Sequence, residues 1–453
     1  MAVELTRRLG EFVAGLRFPD LPPESLSIIH TGFADCIGVM IAGRGEPAPQ
    51  RLKAALSPPP GEATLLFGEG TAPAPEAAWI NGTAAHALDF DDVTLALEGH
   101  TSAVLVPAIL AEAQAIGASG ARLVLAYAAG YETWAELACR DKDAHHTKGW
   151  HPTGIFGAIG AAAACASLRG LSADQAACAI ALGASQSAGI MANFGTMTKR
   201  FHAGRAAHAG VVSARLAERG FTAALDALEH PQGFLSAVSP AGRLELDSPV
   251  QADRSSKLCE LGLSVKKYPL CFGTHRALDG ILDLRKESLL DPARVARIVV
   301  CTSPVNTKIL RNHLPQTALE AKFSMEFAMA CALVAGRAGL TELADDFVRR
   351  SEVQSLMQRV RVTADERVDP ASPDWAPDDL VTVEMDDGRC LKSRKVSTIR
   401  GDHKLPLERE ELWAKFDDCL RVGASGVPAR PLFDSLMALD RLDHVRRLPG
   451  LAA

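Results

Sequence analysis

"KGWHPTGIFGAIGAAAACASLRG", residues 148–170, is the stretch on which the fold turns. Pro152 biases His151 towards extended backbone and suits the first turn of a following helix, so His151 stands at a loop-to-helix junction. Gly154, Gly157 and Gly160 then recur at every third position in alanine-rich text, which lets another backbone approach that face. A fold of closely packed helices is expected. A histidine held at such a junction is positioned by rigid packing, beside a helix N-terminus that favours an anion. The spacing equally suits a helix-capping or core histidine.

The composition of the 453-residue chain points the same way. Hydrophobic residues make up 47% but aromatics only 5%, so alanine and glycine fill much of the interior. The length predicts two or three domains, and 23% charged residues exclude wholesale disorder. A formal charge of -6, without a long Lys/Arg run, excludes nucleic acid as a partner. The ten cysteines never form CxxC and read as reduced core residues. Glu4 and Glu11 interrupt the N-terminus where a signal peptide would be apolar, and the run 154–168 is short for a membrane span. A cytoplasmic protein with no membrane partner is expected.

Helical periodicity dominates residues 1–266, in "ESLSIIHTGFADCIGVMIAG", "TSAVLVPAILAEAQAIGA" and "ARLVLAYAAGYETWAELACR", and Ser172 suits an N-cap for the next helix. From 267 the texture changes. "RVARIVVCTS" and "RVRVTADE" alternate as strands, and Asp387-Gly388 sits between two alternating runs as a hairpin signal. Helical text lies between, in "TALEAKFSMEFAMACALVAGRA" and "ADDFVRRSEVQSLMQRV", and returns after 400. The predicted fold is mainly α: a helical bundle domain from both chain ends (1–266 and 400–453) with an inserted α+β lid domain (267–399).

Four polar clusters interrupt the apolar text. In "NGTAAHALDFDDVTLALEGHTSAVLVPA", His86, Asp89 and Asp92 follow at steps of three, so one helical face would carry them, and His100 precedes the next helix. A prenyl-transfer motif fails at Leu95; a helix terminus with solvated aspartates fits as well. The second cluster is "KDAHHTKGWHPTG", around His151. In the third, "ANFGTMTKRFHAGRAAHAG", Lys199, His202 and Arg205 fall at steps of three among small residues, so buried cations there would require an anion. A solvated basic stripe has the same spacing. The fourth, "VKKYPLCFGTHRALDG", places His275 at the domain boundary.

His145, His146, His151, Asp89 and Asp92 could ligate zinc. However, there is no HExxH and no cysteine pair, and the histidines scatter over separate segments, so no metal is expected. Dinucleotide, P-loop and nucleophile-elbow motifs are missing too.

Taken together, "NGTAAHALDFDD", Gly99-His100, "GWHPTG", "GTMTKRFHAG" and "YPLCFGTH" make the chain similar to the MmgE/PrpD family over nearly its whole length. That family includes 2-methylcitrate dehydratase, cis-aconitate decarboxylase and iminodisuccinate epimerase. The resemblance implies a homodimer, a site between a helical domain and an inserted lid, and no metal or organic cofactor. It implies Asp89, His100, His151, Lys199 and His275 as catalytic residues. His100, Lys199, His202, Arg205 and His275 would bind a small anionic carboxylate. The implied chemistry is proton transfer next to a carboxylate, by a lyase of the dehydratase type, with epimerisation and decarboxylation as alternatives. His151 and Lys199 would serve opposite faces of the carbon, His100 and His275 would hold carboxylates, and Asp89 would orient a histidine or act as base. The decarboxylase branch has threonine where Val93 stands here, and the epimerase branch tyrosine in place of Thr147. A non-catalytic helical scaffold would explain the bundle but not basic groups set in small-residue text.

Overall fold

The computed structural model describes residues 4–141, 143–252, 256–288, 290–369 and 375–451. The chain is mainly α-helical and divides into two compact units, Met1–Val265 with Leu412–Ala453, and Lys266–Glu411.

In the first unit the Pro152–Arg169 helix is central. It packs against the helices Ser102–Ile116, Gly120–Cys139, Ala173–Ser185 and Met197–Glu218. Small residues permit this. A methyl at Gly154 would lie 2.3 Å from the Ala188 carbonyl oxygen, and one at Gly160 would lie 3.0 Å from that of Gly130. Gly157 differs from the expectation: it faces the side chains of Val104 and Trp134, not a backbone. Ser172 caps the Ala173–Ser185 helix in a reciprocal box with Gln175.

The Pro23–Gly43 helix is long and apolar enough to cross a membrane. Here every residue from Gly32 to Gly43 is buried within the unit. The returning chain end packs on it, with the Phe416 ring against Gly38. Helical text overstates the rest of the bundle. Residues 219–252 hold one short helix, Phe234–Val238, because Pro231, Pro240 and Pro249 with Gly233 and Gly242 punctuate the segment. Beyond the Ala429–Leu436 helix the chain makes only tight turns.

The second unit carries a four-stranded sheet in the order Val360–Ala364, Val295–Thr302, Leu380–Met385, Cys390–Lys392. The first pair is parallel and the others antiparallel. Alternate residues of Leu380–Met385 are buried, and Gly388 takes φ 86° in the hairpin. The helices His275–Ser288 and Met325–Ala335 pack on this sheet. Ser324 caps the latter, accepting the Phe327 N–H, and so splits what reads as one helical run.

No disulfide forms among the described residues. Cys36, Cys165, Cys178, Cys331 and Cys419 are core residues, whereas Cys139 and Cys390 are exposed, against the expectation of a wholly buried set.

Candidate active site

The site begins where the Ala74–Ala85 helix stops. His86 is its C-cap, and Asp89 takes φ 55°, a left-handed conformation that aspartate tolerates better than most residues. His86, Asp89 and Asp92 therefore do not share a helical face, because the turn redirects them. The partner of His86 is Asp91, whose Oδ2 lies 2.9 Å from His86 Nδ1 and also 2.9 Å from His100 Nδ1. His100 Nδ1 is 2.9 Å from the Asp92 carbonyl as well. The two rings meet edge-on at 4.4 Å. With both Nδ1 atoms turned to a buried carboxylate, each neutral ring keeps its lone pair on Nε2.

Asp89 serves the other side. Its Oδ1 is 2.9 Å from Lys199 Nζ and 3.8 Å from His100 Nε2. Lys199 projects from the first turn of the Met197–Glu218 helix, and its ammonium stands 5.3 Å from the Phe194 ring centroid. The His151 ring meets that same Phe194 edge-on at 4.9 Å and stacks 6.1 Å from His86. His151 is the N-cap residue of the Pro152–Arg169 helix, at the junction that Pro152 predicts. Its Nδ1 is 3.0 Å from His202 Nδ1, so one ring donates, the other accepts, and His151 Nε2 is left for other partners. Lys199, His151, His100, His86, His202, Asp89 and Asp91 thus converge. The Asp89 side chain is 37% exposed and Phe194 38%, which marks where the cluster opens.

The electrostatics divide sharply. Burial first, then the positive charge of His86, Lys199 and other neighbours, drives the His151 pKa far below the ordinary imidazole value. Burial lowers His202 too, and takes His86 down to about 4 despite Asp91. Burial alone would raise Asp91, but the charges and hydrogen bonds of His86 and His100 outweigh it and hold the carboxyl well below the usual range. The third cluster's requirement for an anion is met for Lys199 by Asp89 itself.

Donor atoms of His86, Asp89, Asp91 and His100 all lie within 4.8 Å of one another, a set whose composition suits a divalent cation. This group differs from the zinc candidates read from the sequence. Its donors are engaged, however. A cation would compete with Lys199 for Asp89 and with two imidazole N–H groups for Asp91. His145 and His146 lie elsewhere, paired with Asp141 at 3.3 Å and Glu98 at 2.9 Å. Asp92 Oδ1 faces the Ser102 N–H at 3.4 Å.

Arg205 does not join the cluster. Its guanidinium lies 5.5 Å from the Trp79 ring and donates to His208 Nδ1 at 2.9 Å. His275 belongs to the second unit, fully buried, with Nε2 donating to the Leu270 carbonyl at 3.2 Å and with Tyr268 and Phe272 rings each 5.1 Å away. His86, Asp91 and Phe194 are the participants that the assignment from sequence leaves out. An aspartate-rich turn directly after an alanine-rich helix was the available signal.

A bundle whose crossing helices and one aspartate-rich turn gather imidazoles, an ammonium and two carboxylates brings groups capable of acid–base chemistry into one partly exposed cluster. The sequence profile of the MmgE/PrpD N-terminal domain matches residues 7–247 and that of the MmgE/PrpD C-terminal domain residues 268–430, so the chain belongs to the MmgE/PrpD family. Cis-aconitate decarboxylase of Homo sapiens is 28% identical, over 80% of this chain and 75% of its own length. The Aspergillus terreus cis-aconitate decarboxylase is 25% identical over 98% and 95% of the two chains. A cis-aconitate decarboxylase-like protein of Aspergillus oryzae is 26% identical over 86% and 85%.

Proposed function

We propose that this chain is a lyase that moves a proton at the carbon next to a carboxylate of a small di- or tricarboxylate, with water as the leaving group. The observation that carries this reading is the convergence of His151 and Lys199 on one partly exposed aromatic ring, beside Asp89 and His100. His151 Nε2 takes the proton from carbon, the C–H electrons form the double bond, and hydroxide leaves with a proton from Lys199 as water. Asp89 holds Lys199, and His100 holds a substrate carboxylate as the imidazolium, donating from Nε2 while its Nδ1–H stays on Asp91. Burial makes His151 a weak base in the free protein. A polyanion beside it cancels the neighbouring positive charge and raises its basicity when it is needed. A positioned acid or base each supplies about 10²- to 10⁴-fold in rate.

The relatives favour a second reading, decarboxylation. There the electrons of a C–CO₂ bond form the carbanion and Lys199 or His151 delivers the proton to carbon. Epimerisation uses the same two groups on opposite faces. The family resemblance adds His275 as a carboxylate holder and a homodimer as the assembly, to be checked by His275→Ala kinetics and by sedimentation.

The deciding experiment incubates the protein with citrate, 2-methylcitrate, cis-aconitate and succinate derivatives in D₂O, followed by proton NMR. Loss of water is the expected result. Loss of carbon dioxide alone would overturn the dehydratase reading in favour of the decarboxylase, and exchange without net loss would point to the epimerase. Spectra unchanged across the whole panel would overturn the lyase reading.

A further inference from the structure

Beneath the 86–92 turn lies a second set of charges that the chemistry above does not use. Asp35, on the Pro23–Gly43 helix, is 2% exposed, Asp92 is fully buried, and Lys415 is 7% exposed on the Arg409–Gly423 helix. Lys415 Nζ is 2.5 Å from Asp35 Oδ1 and donates to the Phe90 carbonyl at 2.8 Å. It also stands 3.9 Å from the centroid of the buried Phe90 ring. Lys415 and Phe90 are 325 positions apart in the chain. Phe90 is the residue between Asp89, which holds Lys199, and Asp91, which holds His86 and His100.

An ammonium that grips both the carbonyl and the ring of one residue leaves that peptide little freedom to rotate. The carboxylates on either side inherit the restriction. Among the described residues Asp92 Oδ2 has no hydrogen-bond partner. Burial and then the nearby charge of Asp35 hold the Asp92 carboxyl well above its usual range, and burial raises Asp35 too, against the pull of Lys415. Stability does not require such a pair, since apolar or neutral replacements of both partners are commonly tolerated.

We propose that Lys415 is a positioning residue: anchored on Asp35, it fixes the Phe90 peptide and thereby sets where Asp89 and Asp91 present their carboxylates to Lys199 and the two histidines. The returning end of the chain is thus part of the active-site architecture. The proposal rests on the acid–base reading of this site, and its test separates the two.

The test uses the full chain labelled with ¹⁵N-histidine, comparing wild type, Asp35→Asn/Lys415→Met and Lys415→Arg, with His86 and His100 signals assigned by His→Gln substitution. The double variant removes both charges and so leaves no buried ion unpaired. Its expected result is displaced His86 and His100 ring-nitrogen signals, with kcat lowered by about 100-fold, the scale of a 1 Å misplacement. KM should rise as well, but by less than kcat falls, because His100, which meets the substrate's charge, is among the displaced groups while His151 stays in place. Lys415→Arg keeps the charge and the Asp35 partner but brings a planar fork to the Phe90 carbonyl, so a loss of about tenfold is expected. A folded double variant with wild-type spectra and kcat overturns the proposal; should it not fold, unchanged spectra and kcat in Lys415→Arg overturn it. Displaced signals in a protein that turns over none of the panel would sink the lyase reading and leave the positioning role standing.

Discussion

Two histidine pairs face each other across the site, and they are built on opposite principles. His86 and His100 share one buried carboxylate, Asp91. His151 and His202 instead hydrogen-bond to each other through their Nδ1 atoms. The first pair has its anion supplied by the protein, which fixes both tautomers. The second lies beside Lys199 and Phe194 and has no carboxylate in contact with either ring among the described residues. A substrate carboxylate would complete on the second side what Asp91 completes on the first. On the proposed reading, that asymmetry puts the ligand beside His151 and His202, where no protein carboxylate stands among the described residues.

The largest effect should come from erasing that difference at its source. Asp91→Asn replaces the shared acceptor by an amide that can accept from one ring and must donate to the other. The expected loss in kcat is about 10³-fold, with one of the two rings, His86 or His100, switching to the Nε2–H tautomer in ¹⁵N spectra. A variant with wild-type kcat would show that Asp91 only fills space. His151→Ala follows, with about 10²-fold loss or more. His202→Gln, which can still accept or donate at that position, should cost about tenfold, because it touches His151 and not the reacting carbon. Equal losses in the two would mean that the second pair acts as one unit and that His202 is itself at the carbon.

The comparison also shows what the residues disclose without coordinates. Pro152 placed His151 at a helix start, and the β-branched alternation and Asp387-Gly388 placed the sheet of the second unit. Steps of three misled twice. Each helical residue turns about 100°, so three residues fall about 60° short of a full turn and six fall about 120° short. Lys199 therefore faces the cluster while Arg205 faces Trp79. At His86 the helix had already ended, and the left-handed Asp89 handed the pairing to Asp91. Nothing local in "HALDFDD" announces that reversal, since no glycine or proline marks it. Lys415 was beyond reach for a different reason: its partners stand in segments hundreds of residues away, and helical periodicity says nothing about which distant charge meets which.

A pH experiment sharpens the same contrast on the scale of stability. The His86 pKa falls from 6.5 in the unfolded chain to about 4 in the folded one. Between those values the unfolded chain binds the extra proton, so stability is retained above about pH 6.5 and declines as the pH drops towards 4. A wholly buried ring with a shift of that size contributes about 3 kcal/mol of loss across the window. His208, also lowered to about 4 by burial and then by Arg205, adds to the slope. His86→Phe should flatten the slope in urea titrations between pH 6.5 and 4, and an unchanged slope would remove His86 as its source. Asp91, held low, enters with the same sign but only below its unfolded value, where its lost charge unties both rings.

The smallest effect belongs to a residue outside both pairs, and it tests whether the comparison concerns chemistry at all. Ser172 Oγ accepts the Gln175 N–H at 3.3 Å while Gln175 Oε1 accepts the Ser172 N–H at 3.1 Å, capping the helix that lies against Pro152–Arg169. Ser172→Ala removes one half of that box and should lower stability by about 1 kcal/mol in denaturant unfolding. Its kcat should stay at the wild-type value, because Ser172 is exposed, one residue before the helix, and bonds to Gln175 rather than to a residue of the cluster. If kcat fell with stability, the losses expected for Asp91, His151 and His202 would have to be read as general loosening of the bundle. If it does not, those losses report the positions of charges within the cluster, as the proposed acid–base reading requires.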